Sequence, residues 1–451
     1  MLLLAGCTSY RAQPLTPDAV NSALQAPVSG SLKIAAASLH HPLLAPLVID
    51  GRDGFTPDEI AVLTVLTSPR LRALRAQHGV AEAQVIQAGL LPNPQLGYTL
   101  DQQLGNSDPT LVNGASLGLS WEVTSLLGYR DRVAAAKSTS RALDLDIAWQ
   151  EWQAAQAARL SAYHAISLRS RLVLARENER QLVDALADVR NGYERRDKTI
   201  TDLAAMTEAW SAAQDARFAL EQELAGEELA LHLALNQPIG MPLKLKDDVP
   251  LPQLPAEMLN GATLVAGLET RRLDLVALTL GYESSEASLR AAVKAQFPRI
   301  GLSFAKAHDT SDVKVHSYGV TIDLPLFDRN QGQIAVGRAT RQQLFEEYVA
   351  RIAEARADVA RILGSLAILH SQLKTIEQGL PDLEKIAAAL DQAMLTRNAE
   401  TQAWRDAHGA LVARRSQQAK MRQDILDLSV ALELATGRPL LTPAVAPTSP
   451  L

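Results

Sequence analysis

Two carboxylates stand at matching points of two related stretches. Glu122 lies in GLSWEVTSLLGYRDRVAAAKS (Gly118 to Ser138) and Asp323 in GVTIDLPLFDRNQGQIAVGRA (Gly319 to Ala339). Each closes a run in which apolar and polar residues alternate, and each falls on the polar side of that alternation. Carboxylates held this way attract cations, unless Arg130, Arg132 or Arg329 a few residues on neutralises them. Other chemistry is sparse. There is no glycine-rich phosphate loop and no H-E-x-x-H pattern. The nine histidines are scattered, and the one adjacent pair, His40-His41, matches no common metal-site spacing. The sequence therefore gives no catalytic residue, no metal site and no cofactor as an expectation.

Composition narrows the class further. Hydrophobic residues make up 47 % and charged residues 21 % of the 451, which suits a folded chain. The net charge of -6, with both signs interspersed, gives no reason to expect a nucleic-acid partner. No apolar run is long enough for a transmembrane helix. The single cysteine, Cys7, excludes an intramolecular disulfide. It ends LLAGC (Leu3 to Cys7), the pattern of a bacterial lipoprotein signal in which the cysteine is acylated. The covalent lipid on Cys7 is the one modification expected. Six residues before it are fewer than a signal peptide needs, so the pattern implies a longer leader. Thr8 follows the cysteine, where an Asp is the usual inner-membrane retention signal, which favours the outer membrane.

The carboxylates belong to a pattern that occurs twice. LPNPQLGYTLD (Leu91 to Asp101) resembles AQFPRIGLSFA (Ala295 to Ala305), with Pro94 against Pro298 and Gly97 against Gly301. The halves close alike, at LALNQP (Leu233 to Pro238) and LATGRP (Leu434 to Pro439). Two units of about 200 residues make a duplication, not a solenoid. Each unit reads as helices, two strands and a long helical hairpin. In the first, Thr56 and Glu59 form a capping box with Pro57 at the first helical position. Helices are expected at about Pro69 to Leu90 and Leu273 to Ala295, and one of about Asp131 to Arg190 would run roughly 90 Å. The hairpins turn near Asn191 to Asp202 and Leu395 to Gln402. The second outgoing helix should break at Gly379-Leu380-Pro381.

The expected organisation is a signal remnant (1–7), an extended proline-rich arm (8–53), a first repeat (54–240) with strands in 95–126 and a helical hairpin in 130–236, a linker (241–260), a second repeat (261–440) with strands in 299–327 and a helical hairpin in 333–436, and a tail (441–451).

The strands, Gln95 to Gln103, Ala115 to Leu126, Arg299 to Ala307 and Val315 to Phe327, put Leu96, Leu119, Ile300 and Val320 on one face and Gly97, Ser120, Gly301 and Thr321 on the other. Tyr98, Trp121, Phe304 and Tyr318 all take the apolar side, in a chain with only 4 % aromatics, and would form a membrane aromatic belt. Strands this long, apolar on one face and without an evident core to cover, suit a membrane β-barrel. Four strands cannot close one and open edges are not tolerated in lipid, so several chains must share it. Three chains would supply 12 strands and two would supply 8.

The twofold pattern, LLPNPQLGY after a helix, GVTIDLPLF running into a polar loop and helix, and ELATGRPL near the end together resemble the TolC-type outer-membrane efflux proteins. The likeness covers nearly the whole chain after the arm, and LPLFDRNQGQI looks most like the cation-efflux and related lipoprotein members. The resemblance implies a mainly α fold with a small membrane β part: a homotrimer whose 12-stranded barrel sits in outer-membrane lipid and continues as a 12-helix periplasmic tunnel. It implies a periplasmic adaptor and an inner-membrane pump of RND type as partners. It implies a duct that makes and breaks no bond. Drugs, metal cations or other small solutes would pass, and Glu122 and Asp323 would become a rim of six carboxylates. The family's gate lies at the periplasmic turns, which implicates Arg195, Arg196, Asp197, Lys198 and Asp202, with Arg397, Glu400, Arg405 and Asp406. The glycine common at such turns is replaced by Arg195 or Arg196 and by Thr396, and Gln402 does not match the acidic constriction of some relatives. A channel for protein secretion, and a periplasmic coiled-coil lipoprotein without a pore, are the rival readings.

Overall fold

The computed structural model describes residues 9–25, 29–102, 112–238, 240–241, 243–247, 249, 251–252, 254–255, 260–396 and 400–441. In chain order the elements are α1 (Pro17–Leu24), α2 (Ser29–Ala37), α3 (Pro57–Thr67), α4 (Pro69–Ala88), β1 (Gln95–Asp101), β2 (Gly114–Glu122), α5 (Ser125–Glu194), α6 (Ile200–Ala234), α7 (Gly261–Val265), α8 (Leu268–Arg271), α9 (Leu273–Lys294), β3 (Arg299–His308), β4 (Lys314–Asp323), α10 (Gln331–Leu395) and α11 (Thr401–Thr436). The fold is mostly helical, with one small antiparallel sheet.

The helices begin and end where local chemistry directs. The Thr56 side chain accepts the Glu59 amide, and Glu59 returns the bond to the Thr56 backbone, so α3 opens on a complete capping box. Thr199 and Asp202 do the same for α6. At the far end of α11, Gly437 takes φ 68°, and a β-carbon there would lie 2.7 Å from Cγ of Arg272. Both the left-handed turn and the close approach require glycine. Asn236 takes φ 53° at the corresponding end of the first helical hairpin.

The 70 residues of α5 make a rod of about 105 Å. Its middle carries Ala155, Ala158, Ala162 and Ala165, all buried, and these small side chains let α3 and the returning α6 approach closely. The main core gathers at this level, from Ile60, Leu231, Leu235 and Leu245. A second core, from Leu264, Ile362, Leu366 and Leu432, lies between α7, α10 and α11.

Two expectations are overturned. The arm is not simply extended. Thr16 caps α1, with Pro17 at its first position, and α2 and the segment after it dock so that Ala36 and Ile49 are buried in the main core. The break at Gly379-Leu380-Pro381 is absent: α10 runs its full 65 residues with Pro381 inside it. A mid-helix proline costs about 3 kcal/mol. Ile376 and Ala387, buried on either side of it, hold the helix together and offset that cost.

The strands also end sooner on their helical side than the alternation suggests. β2 stops at Glu122 because that carboxylate accepts the Ser125 amide at 3.0 Å and starts α5. β4 stops at Asp323, just before Pro325. Gln103 lies outside the described residues.

The four strands form one sheet in the order β1-β2-β3-β4. The helices joined to them keep that order: α4 packs on α5, α5 on α9, and α9 on α10. The result is a wall with the sheet at one end and the helices below. Among the described residues β1 and β4 each have a single strand neighbour.

Candidate functional site

Register decides which side chains share a face. Gly97 pairs with Gly118, and Gly118 with Ala305; Thr321 pairs with Gly301, and Gly301 with Glu122. That face is small and polar. Opposite it, Leu96, Tyr98, Leu119, Leu302, Val320 and Ile322 stand exposed. A sheet that leaves its apolar face bare is built to be covered by something other than its own chain.

The two predicted carboxylates sit together at the helical end of the sheet. Glu122 and Asp323 line one cavity of about 480 Å³, along with Asp328, Arg132, Lys294 and Arg299. Arg299 stands directly opposite Asp323 across β3 and β4, on the same face. Of the neutralising groups the sequence offers, Arg130, Arg132 and Arg329, it is Arg132 that lines the cavity, and the fold adds Arg299 to it. The signal was available: Arg299 has the parity of Gly301, which a simple hairpin places against Asp323. Just below, Asp131 receives Lys294 Nζ at 2.6 Å and Arg290 Nε at 3.3 Å. The Lys294 bond, and then Arg290, hold the Asp131 carboxyl below its ordinary range. The junction is therefore a mixed-charge collar.

The four aromatics share a face but not a row. Phe304 and Tyr318 are cross-strand partners with ring centroids 5.3 Å apart. Tyr98 pairs with Leu117 one row further from the helices. Trp121 lies toward the helical end, opposite Leu302, and its Nε1 donates to the Pro92 carbonyl at 2.8 Å.

At the other end, the turns after α5 and α10 lie side by side. Leu186, Val189, Met206 and Trp404 pack together beneath them. Arg196 takes φ 64° itself, the conformation glycine would otherwise supply at this turn. Arg195 Nε lies 3.6 Å from Asp197 Oδ2. Asp202 is committed to its capping box, accepting from the Thr199 amide and hydroxyl. Lys198 Nζ donates to Thr401 Oγ1 at 2.7 Å and so ties the two turns. Glu400 is the N-cap residue of α11 but makes no side-chain cap bond. Arg405 pairs with its neighbour Asp406 at 2.9 Å. Arg397 and Cys7 lie outside the described residues.

A further polar cluster escaped the sequence. His164 on α5 contacts Asp427 on α11 at 2.6 Å and Glu227 on α6 at 3.2 Å. Burial lowers its pKa, but the two carboxylates outweigh burial and raise it to about 9. His41 has the opposite fate. Its Nδ1 accepts the Leu43 and Leu44 amides and its Nε2 meets the Ala148 carbonyl, and burial pushes its pKa down. With both nitrogens engaged, His41 has none to offer a metal.

The chain thus sets a bare apolar sheet above long paired helices. Residues 264–438 match the family model described as outer membrane efflux protein. The fold is that of the TolC-type efflux channels. The solved structure of CusC, a transmembrane channel, superposes with a TM-score of 0.68 at 18 % identity, over 89 % of this chain and 98 % of that one. The open-state MtrE outer membrane channel of Neisseria gonorrhoeae gives 0.67 at 16 %, over 90 % and 96 %. VceC, an outer membrane protein of Vibrio cholerae, gives 0.65 at 17 %, over 85 % and 96 %. Among curated proteins, none matches the chain in sequence.

Proposed function

We propose that three copies of this chain close into an outer-membrane exit duct of a tripartite efflux system. The observation that carries this is the shared order of strands and helices. Because β1 follows α4, β2 precedes α5, β3 follows α9 and β4 precedes α10, a copy added at one edge extends the sheet and the helical wall together. Closure satisfies the edges of β1 and β4, which cannot stay open in lipid. Three copies bring 12 strands, an ordinary size for a membrane barrel. The exposed apolar face then meets lipid and the glycine- and serine-rich face lines water.

On this reading the helices form a periplasmic tunnel whose turns face an adaptor protein and, beyond it, an inner-membrane pump of RND type. Cys7, acylated, anchors the arm to the membrane. The pump supplies energy and the duct supplies a gated path, so no bond is made or broken. Small solutes, among them drugs or metal cations, are the cargo class. The collar at Glu122, Asp323 and Arg299 sets ion preference, and the Lys198–Thr401 tie holds the periplasmic turns together. The cavity as a whole balances three acids against three bases, but on the sheet face itself Glu122, Asp323 and Arg299 leave one negative charge per copy, so cations are favoured only modestly.

The test is reconstitution of detergent-purified protein into planar lipid bilayers. Discrete conductance steps with a weak cation preference are expected. A protein that inserts in no bilayer and conducts no ion contradicts the proposal.

A further inference from the structure

Charge is sorted between the two faces of the sheet in a way the duct does not need. Every Asp and Glu on the four strands, Asp101, Glu122 and Asp323, lies on the small polar face, with Arg299. Both strand lysines, Lys306 and Lys314, lie on the apolar face. They are at the end of the sheet away from the helices, in two successive cross-strand pairs: Lys306 with His316, and His308 with Lys314. The next pair toward the helices is Phe304 with Tyr318, and the His316 ring lies 6.0 Å from Phe304.

The acids nearby are already engaged. Asp309 accepts the Ser311 and Val313 amides and shapes the turn, and Asp312 binds His308. Lys306 and Lys314 form no ion pair among the described residues, and both are exposed, as is His316. A lysine on a face otherwise apolar is costly at mid-bilayer, and snorkels to the interface near an end. An aromatic pair followed by two basic pairs is the sequence of side chains met when passing from acyl chains to headgroups.

We propose that Lys306, Lys314 and His316 bind phosphate-bearing lipid headgroups of the outer leaflet, with Phe304 and Tyr318 seated against the acyl chains below. This rests on the duct reading, which puts the apolar face in lipid and the β3–β4 turn outside. The site is repeated on each copy around the barrel. It fixes the depth of the barrel and fits a bisphosphorylated glycolipid better than a zwitterionic phospholipid, because two ammonium groups can each meet one phosphate.

The test compares the wild-type oligomer with a K306Q/K314Q/H316Q variant, both in neutral detergent, titrated with a bisphosphorylated glycolipid or with phosphatidylcholine and read by native mass spectrometry. Wild type should retain the glycolipid about tenfold or more better than the variant, with phosphatidylcholine binding unchanged. Equal glycolipid retention by the two proteins overturns the headgroup site. Both proteins are also tested for conductance. Conductance in both, with equal retention, overturns the site and leaves the duct standing; absence of conductance in the wild type removes the duct and the site with it.

Discussion

Arg299 and Asp323 face each other across β3 and β4, on the same side of the sheet as Glu122. What the sequence presents as a pair of acids is, in the fold, part of one cavity lined by three acids, Glu122, Asp323 and Asp328, and three bases, Arg132, Lys294 and Arg299. An R299Q variant should therefore raise the cation/anion permeability ratio, and E122Q/D323N should lower it below wild type. Reversal potentials under a salt gradient measure both. An unchanged ratio in all three proteins would remove the collar from any part in ion preference.

His164 gives a pH dependence whose direction is fixed. Its pKa rises from 6.5 unfolded to about 9 folded. The stabilisation is full below pH 6.5 and fades as pH rises toward 9. Glu227 moves the other way, held down first by its bond to His164, so its share is present above its ordinary pKa and is lost in acid. H164Q should lower stability at pH 6 by on the order of 2 kcal/mol, with the deficit shrinking by pH 9.5. Thermal melting across that range shows it; a deficit that does not change with pH would contradict the bridge.

Glu433 is fully buried, and its carboxylate accepts the Leu440 amide at 2.6 Å, the Leu441 amide at 2.7 Å and Gln156 Nε2 at 2.9 Å, with Arg159 at 3.5 Å. Burial pushes its pKa up. E433A strands these donors and should cost about 3 kcal/mol, whereas E433Q, which keeps one acceptor oxygen, should cost less. Denaturant unfolding of the two variants ranks them, and the reverse ranking would contradict this role.

Pro381 strains a helix that is otherwise continuous. P381A should raise stability by about 1–3 kcal/mol and leave conductance intact. A P381A protein less stable than wild type would mean that the proline sets a bend the assembly uses.

The Lys198–Thr401 bond is the tie between the two turns. K198M should raise the open fraction of single channels at fixed voltage, and T401V should do the same. If neither variant alters gating, the turns are held by the packing of Leu186, Met206 and Trp404 alone.

What the sequence discloses and what it hides divides on range. The alternation in Gln95 to Gln103 and Arg299 to Ala307, and the Thr56–Glu59 box, are local; the structure carries the strands as Gln95–Asp101 and Arg299–His308 and the box complete. The Pro381 break was a local rule overruled by packing from Ile376 and Ala387 on either side. The docked arm depends on Ala36 and Ile49 meeting Leu231 and Leu245 some two hundred residues on. His164 joins Glu227 and Asp427, whose partnership no spacing announces. Arg299 was the near miss, since register alone would have found it.

The central claim is that the open edges at β1 and β4 are closed by two further copies of the chain. The most direct measurement is the mass of the detergent-solubilised protein by light scattering with the detergent contribution subtracted. The account predicts three chains of 48.6 kDa in one particle that requires detergent to stay in solution. A single chain, extracted and soluble without detergent, would contradict it.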